Sequence, residues 1–413
     1  MNQASGKTGP AAGRKPLPPV WLMGLTMTVF GAFGGVWAIA TPQLLAADHV
    51  SEPTIATVTT LVLLPGVFGF LLCPILDVWI SRRSWAALTA LATGVLVAGA
   101  LLSHRNLALF TVFLLLASLT STFYQGALGG WLASLLGDEK RASLGAWITV
   151  GNIGGGGLMA MAAMPLLRGL PSPLGAIAIG AAIVSPLAIF PFLPAPPPDE
   201  RLSHEGLLRF LADVRQVIVQ PKVLRLVLIF GAPAAAFALT NTLSGFGAQF
   251  GASETFISLV GGAGVMIAGI VGSLLAPRMI RWVPPVRLYL LIGVTGAIFT
   301  LGLCLAPRVP VVLAAGLLGE NIFQSAAFAA SNAITYWSLG KDNPLAATQV
   351  AVLTAASVAP ITYMQYVDGH AYAFRGPTGS FLADALISLG AGAALFLIFR
   401  RFSAQAAPAV SQR

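Results

Sequence analysis

The amino-acid sequence predicts an all-α polytopic membrane protein with twelve transmembrane helices in two halves of six. Three observations lead to this fold class: the composition, the length of the apolar runs, and the distribution of Lys and Arg between them. Of the 413 residues, 56% are hydrophobic and 9% are charged, and the mean hydropathy is +0.84. Because a soluble domain carries about 25% charged residues, this chain has too few to cover a soluble globule.

Each predicted helix is a mainly apolar run of about 20 residues, the length that crosses a bilayer. The runs are longer than the alternating segments of about ten residues that build a transmembrane β-barrel. Gly, Pro, Ser and Thr interrupt them, as membrane helices tolerate. In chain order the twelve runs lie near residues 20–41, 54–76, 86–102, 107–134, 144–167, 174–194, 223–248, 256–277, 286–305, 310–337, 346–367 and 380–399.

Short polar tails are predicted before the first run, at residues 1–19, and after the last, at residues 401–413. The first apolar run is longer than that of a cleavable signal peptide and is therefore interpreted as a permanent span. Between the sixth and seventh runs lies a polar linker, residues 195–222, in which Leu, Phe and Val are spaced as in a short amphipathic surface helix. The linker separates a first bundle, residues 20–194, from a second, residues 223–400.

The Lys and Arg residues are unevenly divided between the two sides that twelve spans define. If the N-terminus is cytoplasmic, 19 of the 23 basic residues lie on cytoplasmic segments. The other four, Arg105, Arg168, Arg308 and Arg375, lie in the outer loops. This bias follows the positive-inside rule, so we expect both termini in the cytoplasm. The same bias accounts for the net charge of +9, and no nucleic-acid partner is expected.

The two halves resemble each other in their loop signals. Arg82 and Arg83 follow the second span as Arg278 and Arg281 follow the eighth, 196 residues later for the first of each pair. Both the fourth and the tenth span end in Leu-Gly followed by a charged residue. Six-span repeats of equal orientation are related by an axis along the membrane normal, and they place a solute site near mid-membrane between them.

Patterns typical of soluble enzymes and metal centres are missing from the sequence. The four His residues lie in separate loops, and Cys73 and Cys304 each lie in an apolar span. The glycine-rich segment at residues 151–157 lies inside the fifth span, without the preceding strand and the Lys-Ser/Thr of a phosphate-binding loop. Close packing against another helix explains it better. We therefore expect no metal and no cofactor.

Glu320 is the acidic residue that the sequence places nearest to mid-membrane. It lies ten residues into the tenth run, about 15 Å deep, where an ionised side chain costs about 2.5–3.5 kcal/mol. Asn321 and Gln324 accompany it, and Gln324 shares its helix face. A carboxyl group that alternates between a proton and the solute suits coupling to a proton gradient. The alternative is a structural hydrogen bond to a neighbouring helix. Asp384 is instead expected near the outer interface.

Neutral hydrogen-bonding side chains in other spans are candidates for lining a solute site. Substrate-lining and simple pairing between helices both remain open for them. These candidates are Tyr124 and Gln125 in the fourth span, Asn152 in the fifth, Asn241 in the seventh and Gln349 in the eleventh.

Asp77, Arg82 and Arg83 lie at the predicted cytoplasmic end of the second span. An Asp at a helix end, followed by paired Arg residues, is able to bridge to neighbouring helix termini and hold one conformation closed. A gating role is one interpretation of these residues, and anchoring by the positive-inside rule is the other.

Two stretches of the chain resemble a known family of transporters. The first is Leu61-Val62-x-Leu64-Pro65 through Pro74-x-Leu76-Asp77, continuing to Arg82-Arg83-x-Trp85; the second is Glu320-Asn321 through Phe328, continuing to Ala347-Thr348-Gln349. They are similar to patterns of the muropeptide permease branch of the major facilitator superfamily, which includes acetyl-coenzyme A transporters and siderophore permeases. The resemblance implies the major facilitator fold and importance for Asp77, Arg83, Glu320 and Gln349.

The chain departs from that branch in two helices. Members often carry charged residues early in the seventh span, whereas this chain has the uncharged segment at residues 230–234, and its first span is likewise uncharged around Gly31 and Gly34. The branch's solute is therefore not transferred to this chain.

The sequence as a whole predicts a secondary active transporter that moves a polar organic solute by alternating access. We expect proton coupling, a bacterial inner membrane location, contact with membrane lipids and a monomeric state. A membrane-embedded sensor or a transferase built on a similar fold is the alternative.

Overall fold

A computed structural model describes residues 17–195, 215, 219–340 and 343–399 of the chain, and these residues are helical along almost their whole length. Within them, ten helices are long and apolar enough to cross a membrane, and a shorter apolar helix covers Thr57–Leu71. The all-α, multi-pass prediction is confirmed. Most of the linker, with its expected amphipathic helix, and nearly all of both tails lie outside the described residues.

The first half consists of six spans, α1 to α6. Two of them end in tighter 3₁₀ turns: α2 continues into Gly69–Leu71 and Cys73–Asp77, and α6 continues into Ser185–Phe192. In order the six spans are α1 at Val20–Ala47, α2 at Glu52–Phe68, α3 at Arg82–Leu102, α4 at Leu107–Leu135, α5 at Asp138–Gly169 and α6 at Ser172–Val184.

The second half repeats this plan with α7 to α12. Its eighth span consists of Glu254–Leu259, a π-helical turn at Val260–Gly264, and Val265–Ile280. In order the six spans are α7 from Pro221–Gly231 to Phe250, α8 at Glu254–Ile280, α9 at Pro285–Leu305, α10 at Pro310–Ser338, α11 at Ala346–Arg375 and α12 at Pro377–Phe399.

The seventh span differs from the single helix that the apolar run at 223–248 predicts. Its α-helix ends at Gly231, and short 3₁₀ turns at Pro233–Ala235, Ala238–Asn241 and Leu243–Phe250 complete it. Proline removes a backbone donor, and Phe237 has a φ of 50°, in the left-handed region that bulky residues avoid. The apolar run therefore predicts the position of the span but not the points at which its helix is interrupted.

The end of the bundle at which α1 begins is called the near end below, and the opposite end is called the far end. Contacts between the halves join α5 to α8 and α10, and α11 to α2 and α4. The large apolar core of the first half also includes residues from the near end of α10 and α11, namely Tyr336, Leu339, Ala346, Ala347, Val350 and Ala351. The two halves thus share one core at the near end.

The glycine-rich segment of α5 packs closely against α1. A Cβ atom on Gly155 would lie 2.7 Å from the carbonyl oxygen of Thr28, and one on Gly151 would lie 2.3 Å from that of Gly24. The reverse contact places Gly31 of α1 against Asn152 of α5. The predicted close helix packing is confirmed.

Replacing Gly31 with alanine is expected to lower the stability of the first half by about 1–3 kcal/mol, the usual cost of overpacking. The new Cβ atom would lie 1.9 Å from the backbone oxygen of Asn152, so the two helices must separate. Thermal unfolding in detergent measures the change. Gly34→Ala is the matched control, because no atom lies within 4 Å of its Cβ position. Equal melting temperatures for the two variants would contradict the packing argument.

Candidate transport site and gate

Asp77 joins the two halves at the near end. It ends the last turn of α2 and is 7% exposed. Its carboxylate accepts hydrogen bonds from the backbone N–H of Ala347 at 3.1 Å and of Thr348 at 2.9 Å, and from the Thr348 hydroxyl at 2.7 Å. The first backbone N–H groups of a helix lack partners within it and favour an anion. Asp77 therefore caps α11 from the other half.

Arg82 extends this connection from the start of α3. Its Nε donates to Asp77 Oδ1 at 2.8 Å, and its Nη2 donates to the carbonyl oxygens of Asn343 and Pro344 at 3.1 and 2.6 Å. Arg83 points elsewhere: it donates to the carbonyl oxygen of Phe190 at 3.0 Å, within the first half. The structure thus places Asp77 and Arg82, but not Arg83, in contacts across the two halves.

A second connection at the near end joins the start of α5 to the end of α10. Arg141 is 2% exposed and donates to the carbonyl oxygen of Gly340 at 3.1 Å, while it pairs with Asp138 at 3.0 Å. Trp337 donates to the carbonyl oxygen of Asp138 at 2.7 Å. In the sequence Arg141 is one loop charge among many. The repeated Leu-Gly signal, which marks the ends of α4 and α10, is the feature that points to this contact.

Gln349 belongs to the near end and not to mid-membrane. It lies three residues after the start of α11, and its amide accepts from Asn343 at 2.7 Å and donates to the Ser338 hydroxyl at 2.8 Å. These bonds hold Asn343 in the position that Arg82 contacts. The structure therefore groups Gln349 with Asp77 and Arg82.

The candidate residues of the first half are divided between buried and open positions. Tyr124 is fully buried and donates its hydroxyl to the carbonyl oxygen of Thr26 on α1, which is a pairing contact between helices. Gln125 and Asn152 are partly exposed. Between the halves, Asn332 of α10 donates to the Thr149 hydroxyl of α5 at 3.2 Å, well inside both helices.

The candidate residues of the second half differ in their exposure and in their hydrogen-bond partners. Gln324 donates to the carbonyl oxygen of Phe237 at 3.2 Å and to the Thr240 hydroxyl at 2.9 Å, and so fixes the broken part of α7. Asn321 is partly exposed and donates to the carbonyl oxygen of Leu317 on its own helix. Asn241 is exposed. The candidates thus occupy several places along the bundle.

Glu320 is fully buried and faces the interior of the second half. It accepts a hydrogen bond from the Thr300 hydroxyl of α9, and its other oxygen, Oε2, has no hydrogen-bond partner among the described residues. Its bonded neighbour, Thr300, belongs to the same half.

Two further carboxyl groups are buried in the second half, which corrects the expectation that Asp384 lies at the outer interface. Asp384 on α12 is 2% exposed and Asp368 on α11 is 1% exposed. The apolar runs end at 367 and begin at 380, whereas α11 continues to Arg375 and α12 begins at Pro377. The longer helices place both groups inside the bundle.

This arrangement of two six-helix halves, joined at one end and carrying polar groups within, agrees with the comparisons to known proteins. The chain matches the Major Facilitator Superfamily over residues 22–362 and belongs to that family. Membership of the family identifies it as a multi-pass membrane transporter of solutes rather than an enzyme. No curated protein matches the sequence.

Several solved structures share the fold. The human organic anion transporter MFSD10 (TETRAN) is 18% identical, with a TM-score of 0.68 and coverage of 91% of this chain and 98% of its own. The proton:xylose symporter XylE is 15% identical, with a TM-score of 0.70 and coverage of 93% and 96%. A bacterial homologue of the iron transporter ferroportin, in an outward-facing state with soaked iron, is 16% identical, with a TM-score of 0.63 and coverage of 94% and 100%.

Proposed function

We propose that this protein is a proton-coupled secondary active transporter that moves a polar organic solute across a bacterial inner membrane by alternating access. The near end faces the cytoplasm, both termini lie there, and the protein works as a monomer surrounded by membrane lipids. It uses no cofactor, and the proton gradient supplies the energy. The contacts of Asp77 across the halves carry the proposal, because a capped helix terminus is a contact that a transporter must break to open that end.

The direction of opening follows from where the halves are joined. Asp77, Arg82 and Arg141 all bind backbone groups of the other half at the near end. The 19 to 4 division of basic residues supports a cytoplasmic assignment of this end. We therefore propose that the solute site is closed to the cytoplasm in this conformation.

The polar side chains that remain partly or fully exposed suit a solute with many hydrogen-bonding groups. Gln125, Asn152, Asn241 and Asn321 offer amide donors and acceptors without a fixed charge. The resemblance to the muropeptide permease branch favours cell-wall fragments, siderophores and coenzyme A esters as the compounds to test first. Because transporters of organic anions and of xylose share the fold, these two classes of compound are added to the compounds to test.

Uptake into proteoliposomes tests the proposed function. Purified protein is first screened by thermal shift against a muropeptide, a ferric siderophore, acetyl-coenzyme A and xylose. A stabilising compound is then supplied outside vesicles whose lumen is more alkaline by one pH unit. With one proton per solute this gradient is worth about 1.4 kcal/mol and supports about tenfold accumulation. Binding without accumulation or exchange would contradict transport and favour a sensor.

A further inference from the structure

Three arginines lie at the turn between α8 and α9, at the near end of the second half. Arg278 is in the last turn of α8, Arg281 follows that helix, and Arg287 is in the first turn of α9. All three side chains are exposed. Within the described residues, their guanidinium groups take part in no ion pair and no hydrogen bond. They are called the near-end arginine cluster below.

The corresponding turn of the first half shows how such arginines pair within the protein. Arg82, 196 residues before Arg278, donates to Asp77 and to backbone oxygens of the other half, and Arg83 donates to a carbonyl oxygen of its own half. The α8–α9 turn contains no acidic residue, and Glu254, the acidic residue of α8, begins that helix at the far end. At 1.5 Å per residue it lies about 36 Å from the last turn of α8. The second turn therefore presents positive charges without a carboxylate to pair with them.

An exposed apolar stripe on α8 leads from the middle of the helix to the cluster. Its side chains recur every four residues, so each is the neighbour of the next on the helix surface. All of them are at least 37% exposed: Ile267, Val271, Leu275 and Met279. Trp282, in the turn itself, is 81% exposed. Because tryptophan is enriched at the boundary between lipid tails and headgroups, Trp282 indicates that the cluster lies at headgroup depth.

The occupant that fits this surface is the anionic headgroup of a phospholipid. A planar guanidinium group binds two phosphate oxygens through parallel hydrogen bonds. Residues 281–284 separate α8 from α9, so the two helix ends lie within about 17 Å and arginines of both helices are able to reach one headgroup. A free phosphate compound would use the charge alone. A lipid also uses the apolar stripe, along which its acyl chain lies.

We propose that the near-end arginine cluster binds the headgroup of an anionic phospholipid, whose acyl chain lies along the exposed stripe of α8. The site is on the lipid-facing surface of the second half, apart from the gate formed by Asp77. Each arginine near an anionic lipid surface favours binding by about fivefold, so three favour an anionic over a zwitterionic phospholipid by about 100-fold. A role of the three arginines in membrane topology alone predicts no preference between the two lipids.

Native mass spectrometry of the full-length protein in detergent tests the site without a known solute. The protein is titrated with dioctanoyl phosphatidylglycerol and, separately, with dioctanoyl phosphatidylcholine. We expect the first phosphatidylglycerol molecule to bind about 100-fold more tightly than the first phosphatidylcholine. The combined variant Arg278→Gln, Arg281→Gln and Arg287→Gln should bind the two lipids with nearly equal affinity. Each single substitution should lower the preference by about fivefold, and the single variants replace the combined one if it fails to fold.

A variant at the far end is the matched control for total charge. It combines Arg105→Gln, Arg308→Gln and Arg375→Gln, which removes the same charge from three exposed positions. This variant should keep the preference of the wild type for phosphatidylglycerol. An equal loss of preference in the near-end and far-end variants would attribute the effect to total charge and overturn the site.

Two further results would also overturn the proposal. Equal affinities of wild type for the two lipids would do so, and this result needs no variant. Glycerol phosphate carries the phosphate of the headgroup but no acyl chain, and it should not displace phosphatidylglycerol at a tenfold excess. Displacement at concentrations equal to those of the lipid would assign the cluster to a soluble phosphate compound instead.

Discussion

Replacing Asp77 with asparagine is expected to shift the protein toward the conformation that is open at the near end. The carboxylate accepts four hydrogen bonds from Arg82, Ala347 and Thr348, and an amide presents an N–H to one or more of those donors. Breaking a buried ion pair costs about 3–5 kcal/mol, and 3 kcal/mol already changes the balance of two conformations by about two orders of magnitude.

Cysteine labelling measures this shift. A cysteine placed at Gly126, which faces Ala347 and Ala351 of α11 in this structure, should react slowly in wild type and rapidly beside Asp77→Asn. Asp48→Asn is the matched control, because Asp48 pairs with His104 within the first half. Equal labelling rates in wild type and Asp77→Asn would contradict the gating role.

Replacing Glu320 with glutamine is expected to abolish accumulation driven by a pH gradient and to leave exchange of the solute across the membrane intact. Glutamine keeps the size of the protonated carboxyl group, and its amide oxygen is able to accept the hydrogen bond from Thr300. It cannot release a proton, so the cycle no longer couples the two movements. Accumulation should fall from about tenfold, in a gradient of one pH unit, to simple equilibration.

Proteoliposomes loaded with labelled solute distinguish the two activities. Exchange is followed without a gradient, and accumulation is followed with one. Gln324→Glu is a useful companion variant, because it places a carboxyl group one helical turn away, against α7. Gradient-driven accumulation by Glu320→Gln at the wild-type level would remove Glu320 from the coupling role.

Hydropathy and loop charge were sufficient to predict the fold class, because a bilayer imposes one length and one type of element on every span. The seventh span shows the limit of this reasoning. Its run is apolar enough to predict a span, yet its helix is broken after Gly231. Tertiary contacts offset the energetic cost of the break, and they include the hydrogen bonds from Gln324 to Phe237 and Thr240. Such contacts cannot be recognised from the sequence of the run itself.

The candidate site was predicted in part. The position of Glu320 in a long run indicates a buried carboxyl group, and the structure buries it completely. Asp368 was missed because it follows the end of the eleventh apolar run at residue 367. Asp384 was expected near the outer interface because it lies close to the start of the twelfth run, whereas both helices extend beyond their apolar segments. Pairing between distant helices, as in Asp77 with Thr348, depends on which termini meet, and a single sequence contains no direct signal of that.

Alternating access is tested most directly by distances between spin labels at the two ends of the bundle. One pair replaces Ile80 and Trp282 in near-end loops of the two halves, and the other replaces Ala47 and Ala248 at the far ends of α1 and α7; all four positions are exposed. Double electron–electron resonance is recorded in liposomes on each spin-labelled pair, with Asp77 intact and with Asp77→Asn. We predict that the near-end distance increases in the variant while the far-end distance decreases. Distances that are unchanged, or that increase at both ends together, would contradict the mechanism.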